Sequence, residues 1–169
     1  MQYITHYDSP LGGILLAADS EGLTGLWFDG AKYYAAGLDP DRREGSLPVF
    51  DEAKRWLDKY FSGREPDFMP PLHMIGSAFQ ISVWNILRQI PYGKTATYGD
   101  IAKELAARLA LPRMSAQAVG GAVGHNKISI LIPCHRVLGS DGSLTGYAGG
   151  VDKKAALLRL EGGNDGRLL

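Results

Sequence analysis

Cys134 and His135 stand side by side in Pro133-Cys134-His135-Arg136-Val137, and Cys134 is the only cysteine of the chain. The thiolate is the reactive form of cysteine, and a free thiol titrates near roughly 8.5. A neighbouring imidazole or guanidinium that favours the anion therefore raises reactivity at neutral pH. The apolar run Ile128 to Ile132 just before the pair reads as a buried strand that delivers the thiol to a pocket wall. A lone cysteine also fits a small buried hydrophobe, so the rest of the chain has to separate the two. The four histidines, His6, His73, His125 and His135, are scattered and lack the ligand spacing of structural zinc, so no metal and no cofactor is expected. His73 and His125 read as surface or core residues.

The elements that must position the pair fall into two halves, with 1–75 and 76–169 expected as separate domains. The first half opens as an antiparallel meander: Tyr3 to Tyr7, Ile14 to Ala18 and Leu23 to Phe28, separated by turns at Ser9-Pro10-Leu11-Gly12-Gly13 and Asp19-Ser20-Glu21-Gly22. Residues 29–49 read as a long connection. From Asp51 to Phe61, the residues Ala53, Trp56, Leu57, Tyr60 and Phe61 recur at helical spacing and give one apolar face to cover the sheet, and Gly63 stops that helix. The stretch Pro66 to Gly76 reads as the linker.

Helices dominate the second half. Ser77 with Gln80 has the pattern of a capping box ahead of Phe79, Val83, Trp84, Leu87 and Ile90, and Pro91-Tyr92-Gly93 ends that helix. Thr97 with Asp100 caps a second helix through Ile101, Ala102 and Leu105. After the loop Leu111 to Met114, Ser115 starts a third, Ala116 to Val123, which halts at Gly124-His125-Asn126. The last two fit a helix-turn-helix. Ala116, Ala118, Gly120, Gly121, Ala122 and Gly124 leave the second of them nearly bare, although each interior glycine costs roughly 1 kcal/mol relative to alanine. A bare helix suits close approach, to a nucleic-acid groove or to a neighbouring element, and is ill suited to reading base edges.

Composition narrows the classes further. The chain has 169 residues, is neutral overall, and no apolar run approaches the roughly 20 residues of a membrane span. The N-terminus Met1-Gln2-Tyr3-Ile4-Thr5 lacks the marks of a signal peptide. With one cysteine no internal disulfide can form, and a cytoplasmic location is expected. Neutrality hides an asymmetry: residues 1–75 carry 7 Lys and Arg against 12 Asp and Glu, residues 76–169 carry 11 against 6. The C-terminal half is the one able to meet an anionic partner.

Phe79-Gln80, Val83-Trp84, Ile90-Pro91-Tyr92-Gly93, Thr97-Tyr98-Gly99-Asp100-Ile101-Ala102, Ala118-Val119-Gly120, Pro133-Cys134-His135-Arg136-Val137 and Gly146-Tyr147-Ala148-Gly149-Gly150 occur in that order. In these motifs, which span nearly all of residues 77–162, the chain resembles the O6-alkylguanine-DNA alkyltransferases. The resemblance implies an α/β fold: a small N-terminal antiparallel sheet with a covering helix, ribonuclease H-like, and a mostly helical C-terminal domain with a winged-helix-like helix-turn-helix and a short active-site strand. It implies a monomeric repair protein acting on double-stranded DNA that contains O6-alkylguanine, O4-methylthymine being a further substrate. The target nucleotide is flipped out of the stack and its alkyl group is moved onto Cys134, once per molecule.

Residue roles carried by the resemblance follow the same motifs. His135 would relay the thiol proton, through a water, to Glu161 at the end of a helix Lys153 to Leu160. Tyr98 would hydrogen-bond the purine and help guanine leave, and Asn126 would brace the turn between the groove-facing helix and the cysteine. Val137, Tyr147, Ala148 and Gly149 would line the base pocket, with Tyr147 as a stacking wall. Arg113, Ser115, Ala116, Gln117 and Gly120 would lie along the DNA, while Arg136 reads as a structural ion-pair former. Position 117 departs from the pattern: the family places an arginine there to fill the vacated stack, and Gln117 brings neither the charge nor the reach. Weaker DNA binding follows as an expectation, with Arg113 compensating. Three other classes remain beside alkyl transfer: a lesion sensor without chemistry, a cysteine hydrolase or peroxidase that turns over, and a transcription factor.

Overall fold

Ser9 closes the first hairpin with its own hydroxyl, which donates to the Gly12 carbonyl at 2.6 Å and accepts from the Leu11 amide at 3.1 Å. The structure, a computed structural model, describes residues 1–162. It divides into two units, one of residues 1–75 with 127–129, the other of residues 76–126 and from 130 onward.

In the first unit, β1 (Tyr3–Ser9), β2 (Gly12–Asp19) and β3 (Gly22–Phe28) form the expected meander, each pair antiparallel. The sheet order is β3-β2-β1-β4, and β4 (Arg43–Glu44) lies parallel to β1. The three-stranded meander is antiparallel as expected, and β4 adds a two-residue parallel edge to it. A parallel neighbour needs a long return path, and the residues after β3 provide it. Nothing in two exposed charged residues marks a strand in advance. Helix α1 (Pro48–Phe61) starts on a proline at its first turn and buries Val49, Phe50, Ala53, Trp56, Leu57 and Tyr60. Leu15, Ala17 and Trp27 form a second cluster, covered by Ile4, Ala35 and Leu38. The connection after β3 thus supplies core residues, which explains why β3 is buried along its whole length.

The second unit holds α2 (Ala78–Leu87), α3 (Tyr98–Arg108), α4 (Ala116–Gly124) and α5 (Val151–Leu160), with the short parallel pair β5 (Ala96–Thr97) and β6 (Val137–Leu138). Both capping boxes form: Ser77 with Gln80 at α2, Thr97 with Asp100 at α3. The Ser115 hydroxyl accepts from the Ala118 amide at 3.2 Å and caps α4. Trp84 of α2 ties α4 in place by donating its indole N–H to the Ala122 carbonyl at 2.9 Å.

Cys134 does not sit at the end of a strand. The run Ile128 to Ile132 is buried as expected, but it follows a turning path, with Ile130 at φ 71°, and Cys134–Arg136 form a single 3-10 turn. Only Ile128 keeps a strand-like bridge, to Leu26 within the first unit. A β-branched residue at positive φ breaks any ladder and stores strain of about 1–3 kcal/mol in the segment leading to Cys134.

Candidate active site

The 3-10 turn places three consecutive side chains in the interior of the second unit: Cys134 is 7% exposed, and His135 and Arg136 are buried with it. Asn126, just beyond α4, braces this turn. Its amide donates to the Ile132 carbonyl at 2.8 Å and also bonds the Cys134 sulfur. The Cys134 amide donates to the same Ile132 carbonyl at 2.8 Å, so one carbonyl fixes both the turn and its brace. Burial pushes the thiol pKa up, while the Asn126 hydrogen bond and the charge of Lys154 pull it down.

Glu161 closes α5 and is 6% exposed. Its carboxylate accepts from His135 Nε2 at 2.7 Å, from Arg136 Nε at 2.8 Å and Nη2 at 3.1 Å, and from the Gly93 amide at 3.1 Å. Burial alone would raise its pKa; the hydrogen bonds and charges of His135 and Arg136 bring it to about 2. Glu161 is thus a fixed anion. Arg136 neutralises it and reaches the Ile90 carbonyl at 2.7 Å, the structural role read from the sequence. Burial lowers the His135 pKa, with Arg136 and Lys154 acting the same way against Glu161. A neutral imidazole that gives its Nε2 proton to Glu161 leaves Nδ1 as the accepting nitrogen. His135 and Glu161 touch directly, so no water stands between them. Gly93 makes the approach to Glu161 possible: its φ is 77°, and a Cβ there would lie 3.2 Å from the Glu161 carbonyl oxygen.

Tyr98, the first residue of α3, is half-buried and its hydroxyl lies beside Gly146, about 4.0 Å from where a Cβ would stand. The hydroxyl also bonds the Thr145 side chain. A cavity of ≈ 10 Å³ touches Cys134 and is lined by Val123, Gly124, Asn126, Gly146, Tyr147 and Ala148. That volume holds about one water, not a nucleobase. Val137 is fully buried in β6 and does not line it, and neither does Gly149.

Along α4 the expected small residues other than Ala122 are exposed or half-buried. Ala116, Gln117, Ala118 and Gly121 are exposed, Gly120 and Gly124 half-buried, and Val119, Ala122 and Val123 form the inner face. A Cβ at Gly121 or Gly124 would meet no atom within 4 Å, so packing inside the described chain does not require those glycines. Arg113 and Ser115 are exposed at the start of the same helix.

Lys154 was missed in the sequence. It is 0% exposed, and its ammonium donates to the Thr145 carbonyl at 2.8 Å. The signal was present, because Lys154, Leu157, Leu158 and Glu161 fall at the spacing of one helix face and that face is buried. In the first unit His73 is also not isolated. Asp19 and Glu21 lie with it, their ligand-capable atoms within 4.8 Å of one another. Asp19 is hydrogen-bonded to Nδ1 at 2.6 Å and Glu21 lies 3.5 Å from Nε2, a bracket of the two ring nitrogens that a metal would have to open.

A buried cysteine on a braced turn, followed by a histidine bonded to a buried glutamate, in a unit that also holds a helix-turn-helix with a bare outer face, defines a class: a DNA-directed protein with a cysteine nucleophile. Residues 78–163 match the family model described as 6-O-methylguanine DNA methyltransferase, DNA binding domain, and residues 2–74 match that of the 6-O-methylguanine DNA methyltransferase, ribonuclease-like domain. The chain belongs to the 6-O-methylguanine DNA methyltransferase family. A Methanosarcina acetivorans protein named methylated-DNA--protein-cysteine methyltransferase is 47% identical over 161 residues, 95% of this chain and 98% of its own length. One of the same name from Haemophilus influenzae is 44% identical over 94% of this chain and 86% of its own length. The crystal structure of Mycobacterium tuberculosis OGT in complex with DNA superposes with a TM-score of 0.82 at 39% identity, covering 94% of this chain and 92% of the other.

Proposed function

We propose that this chain repairs O6-alkylguanine in duplex DNA by moving the alkyl group onto Cys134, once per molecule, and that it works as a cytoplasmic monomer. The observation that carries this reading is the thiol of Cys134 on its braced turn, with His135 and Glu161 in direct contact beside it. The thiol proton passes to the Nδ1 of His135, and Glu161 stabilises the imidazolium that forms. The thiolate attacks the methyl carbon; an S–C bond forms, the C–O6 bond breaks, and its electron pair stays with guanine. Tyr98 hydrogen-bonds the purine as that charge develops, and the proton ends on the base. The thioether offers no ready leaving group, so the protein is consumed.

Duplex DNA meets the outer face of α4. Arg113, Ser115 and Ala116 lie at its entry, Gln117 stands toward the vacated stack, and Gly120 and Gly121 keep the backbone low enough for a groove. The cavity at Cys134 must widen to admit a base. Tyr147 and Ala148 lie between Gly146 at φ 46° and Gly150 at φ 104°, two glycines able to absorb that change. A reducing compartment keeps the single thiol available. Titrating the protein with methylated duplex tests the proposal: transferred methyl rises to a plateau near one equivalent. Continued turnover makes the protein a hydrolase, and binding without transfer makes it a sensor.

A further inference from the structure

We propose that Arg136 keeps the proton seat of His135 empty: it is a positioning residue that meets the Glu161 carboxylate with a permanent charge, so that the imidazole stays neutral and able to take the thiol proton. The inference rests on the reading of Cys134 as the nucleophile, and it gives the neighbouring arginine a part in that site beyond holding the fold. A buried carboxylate bonded to a buried imidazole is by itself a trap for a proton, because carboxylate with imidazolium is neutral as a pair, whereas carboxylate with neutral imidazole leaves bare negative charge in the interior. A histidine charged in that way has no acceptor left for a thiol. Arg136 removes the need for that proton, since a guanidinium does not give up its own.

The geometry is that of a fork set around one carboxylate. Arg136 Nε donates to Glu161 Oε1 at 2.8 Å and Nη2 to Oε2 at 3.1 Å. His135 Nε2 shares Oε2 at 2.7 Å, and the Gly93 amide shares Oε1 at 3.1 Å. Each oxygen thus meets one guanidinium N–H and one other donor, which holds Oε2 toward the imidazole. The guanidinium is fixed from a third side, where Nη1 donates to the Ile90 carbonyl at 2.7 Å and its carbon lies 5.7 Å from the centre of the Tyr92 ring. The titratable and charged groups around His135 come from each element packed there. Cys134 and Arg136 stand on the same 3-10 turn, Glu161 and Lys154 on α5, which packs against it, and Tyr92 on the loop after α2, beyond the guanidinium. Tyr98 of α3 acts on Cys134. Lys154 gives its ammonium to the Thr145 carbonyl at 2.8 Å. Burial lowers the His135 pKa, Glu161 raises it and Arg136 lowers it again, while the Glu161 pKa is held at about 2. These directions agree with a neutral imidazole beside a fixed anion.

The test uses the whole chain and a small alkylator, iodoacetamide, so that it does not depend on DNA. The pH profile of Cys134 alkylation is measured for the native protein, Arg136→Met and Arg136→Lys. An imidazolium cannot accept the thiol proton, so the rate has an acid limb at the pH where His135 becomes charged. Arg136→Met is expected to move that limb up by about one pH unit or more, and Arg136→Lys, which keeps a charge, to leave it within about half a unit. An arginine that only held the fold would lower the melting temperature of both variants and leave the limb in place. A folded Arg136→Met with the native limb overturns the proposal, and so does an Arg136→Lys limb moved as far as that of Arg136→Met. The second measurement needs no variant: the His135 ring nitrogens are followed by NMR in the native protein. The expected spectrum at pH 7 has the proton on Nε2 and Nδ1 unprotonated, and the second proton arrives only below the ordinary imidazole range. An imidazolium at pH 7 overturns the proposal. Failure of methyl transfer from DNA alongside an arginine-dependent acid limb would overturn the repair reading and leave this one standing.

Discussion

The two units bury very different things. The first closes its sheet with aliphatic and aromatic side chains, and its buried polar residues are the neutral Thr24 and Ser129. The second buries His135, Arg136, Lys154, Glu161 and Asn126 around one thiol. A helical unit of this size needs no interior charges to fold, and well-packed hydrophobic replacements of buried ion pairs are often neutral or stabilising. The first unit is thus built for stability. The second gives up stability to hold a reactive sulfur, a trade that fits a protein using its site once.

The largest expected effect falls on the thiol alone. Cys134→Ala should abolish methyl transfer while the melting temperature moves by only a few degrees, about what 1 kcal/mol produces; residual transfer would place the nucleophile elsewhere. Glu161→Gln comes next, because it strands the buried Arg136 guanidinium. Breaking such a pair costs about 3–5 kcal/mol, read as a lower denaturation midpoint, and transfer should slow with it. Glu161 also sets an acid limit. Its carboxyl titrates lower in the folded chain than in the unfolded one, so the stabilisation is complete above pH of about 4.5 and is lost as pH falls toward about 2. Native protein should show that acid limb, and Glu161→Gln should lack it.

Substitutions on the outer face of α4 should separate fold from function. Gly121→Gln should stabilise the helix by up to about 1 kcal/mol, since open space surrounds that position, yet weaken binding to methylated duplex tenfold or more. Retained binding would remove α4 from the groove. Gln117→Arg should tighten binding about threefold to tenfold and steepen its salt dependence by roughly one unit of slope; unchanged or weaker binding would show that the arginine is not missed here. The smallest effect belongs to the first unit: His73→Ala should cost under about 1 kcal/mol, as for other partly exposed pairs, and leave the transfer rate alone.

Local rules carried much of the architecture. The capping boxes at Ser77 and Thr97, the Ser115 cap and the apolar face of α1 depend on residues within four positions of each other, and they formed where the sequence put them. β4 was hidden because two charged residues carry no alternation. The path through Ile130 was hidden for another reason: an apolar run looks the same whether it continues as a strand or turns at positive φ. At the site, Cys134 and His135 were visible as neighbours, but the bond to Glu161 spans 26 positions and the one from Glu161 to Gly93 spans 68. Lys154 was legible in principle as a charge on the buried side of α5, but nothing else in the sequence singles it out. The small volume of the cavity was beyond any reading of sequence, since it depends on where the Tyr147 side chain and its loop come to rest.

Peptide mass spectrometry of the native chain after one round with duplex bearing a single O6-methylguanine tests the central claim most directly. The expected result is one added methyl, confined to the peptide containing Cys134, in step with loss of the lesion from the DNA. A methyl on any other residue, or a repaired duplex with Cys134 unmodified, would contradict it.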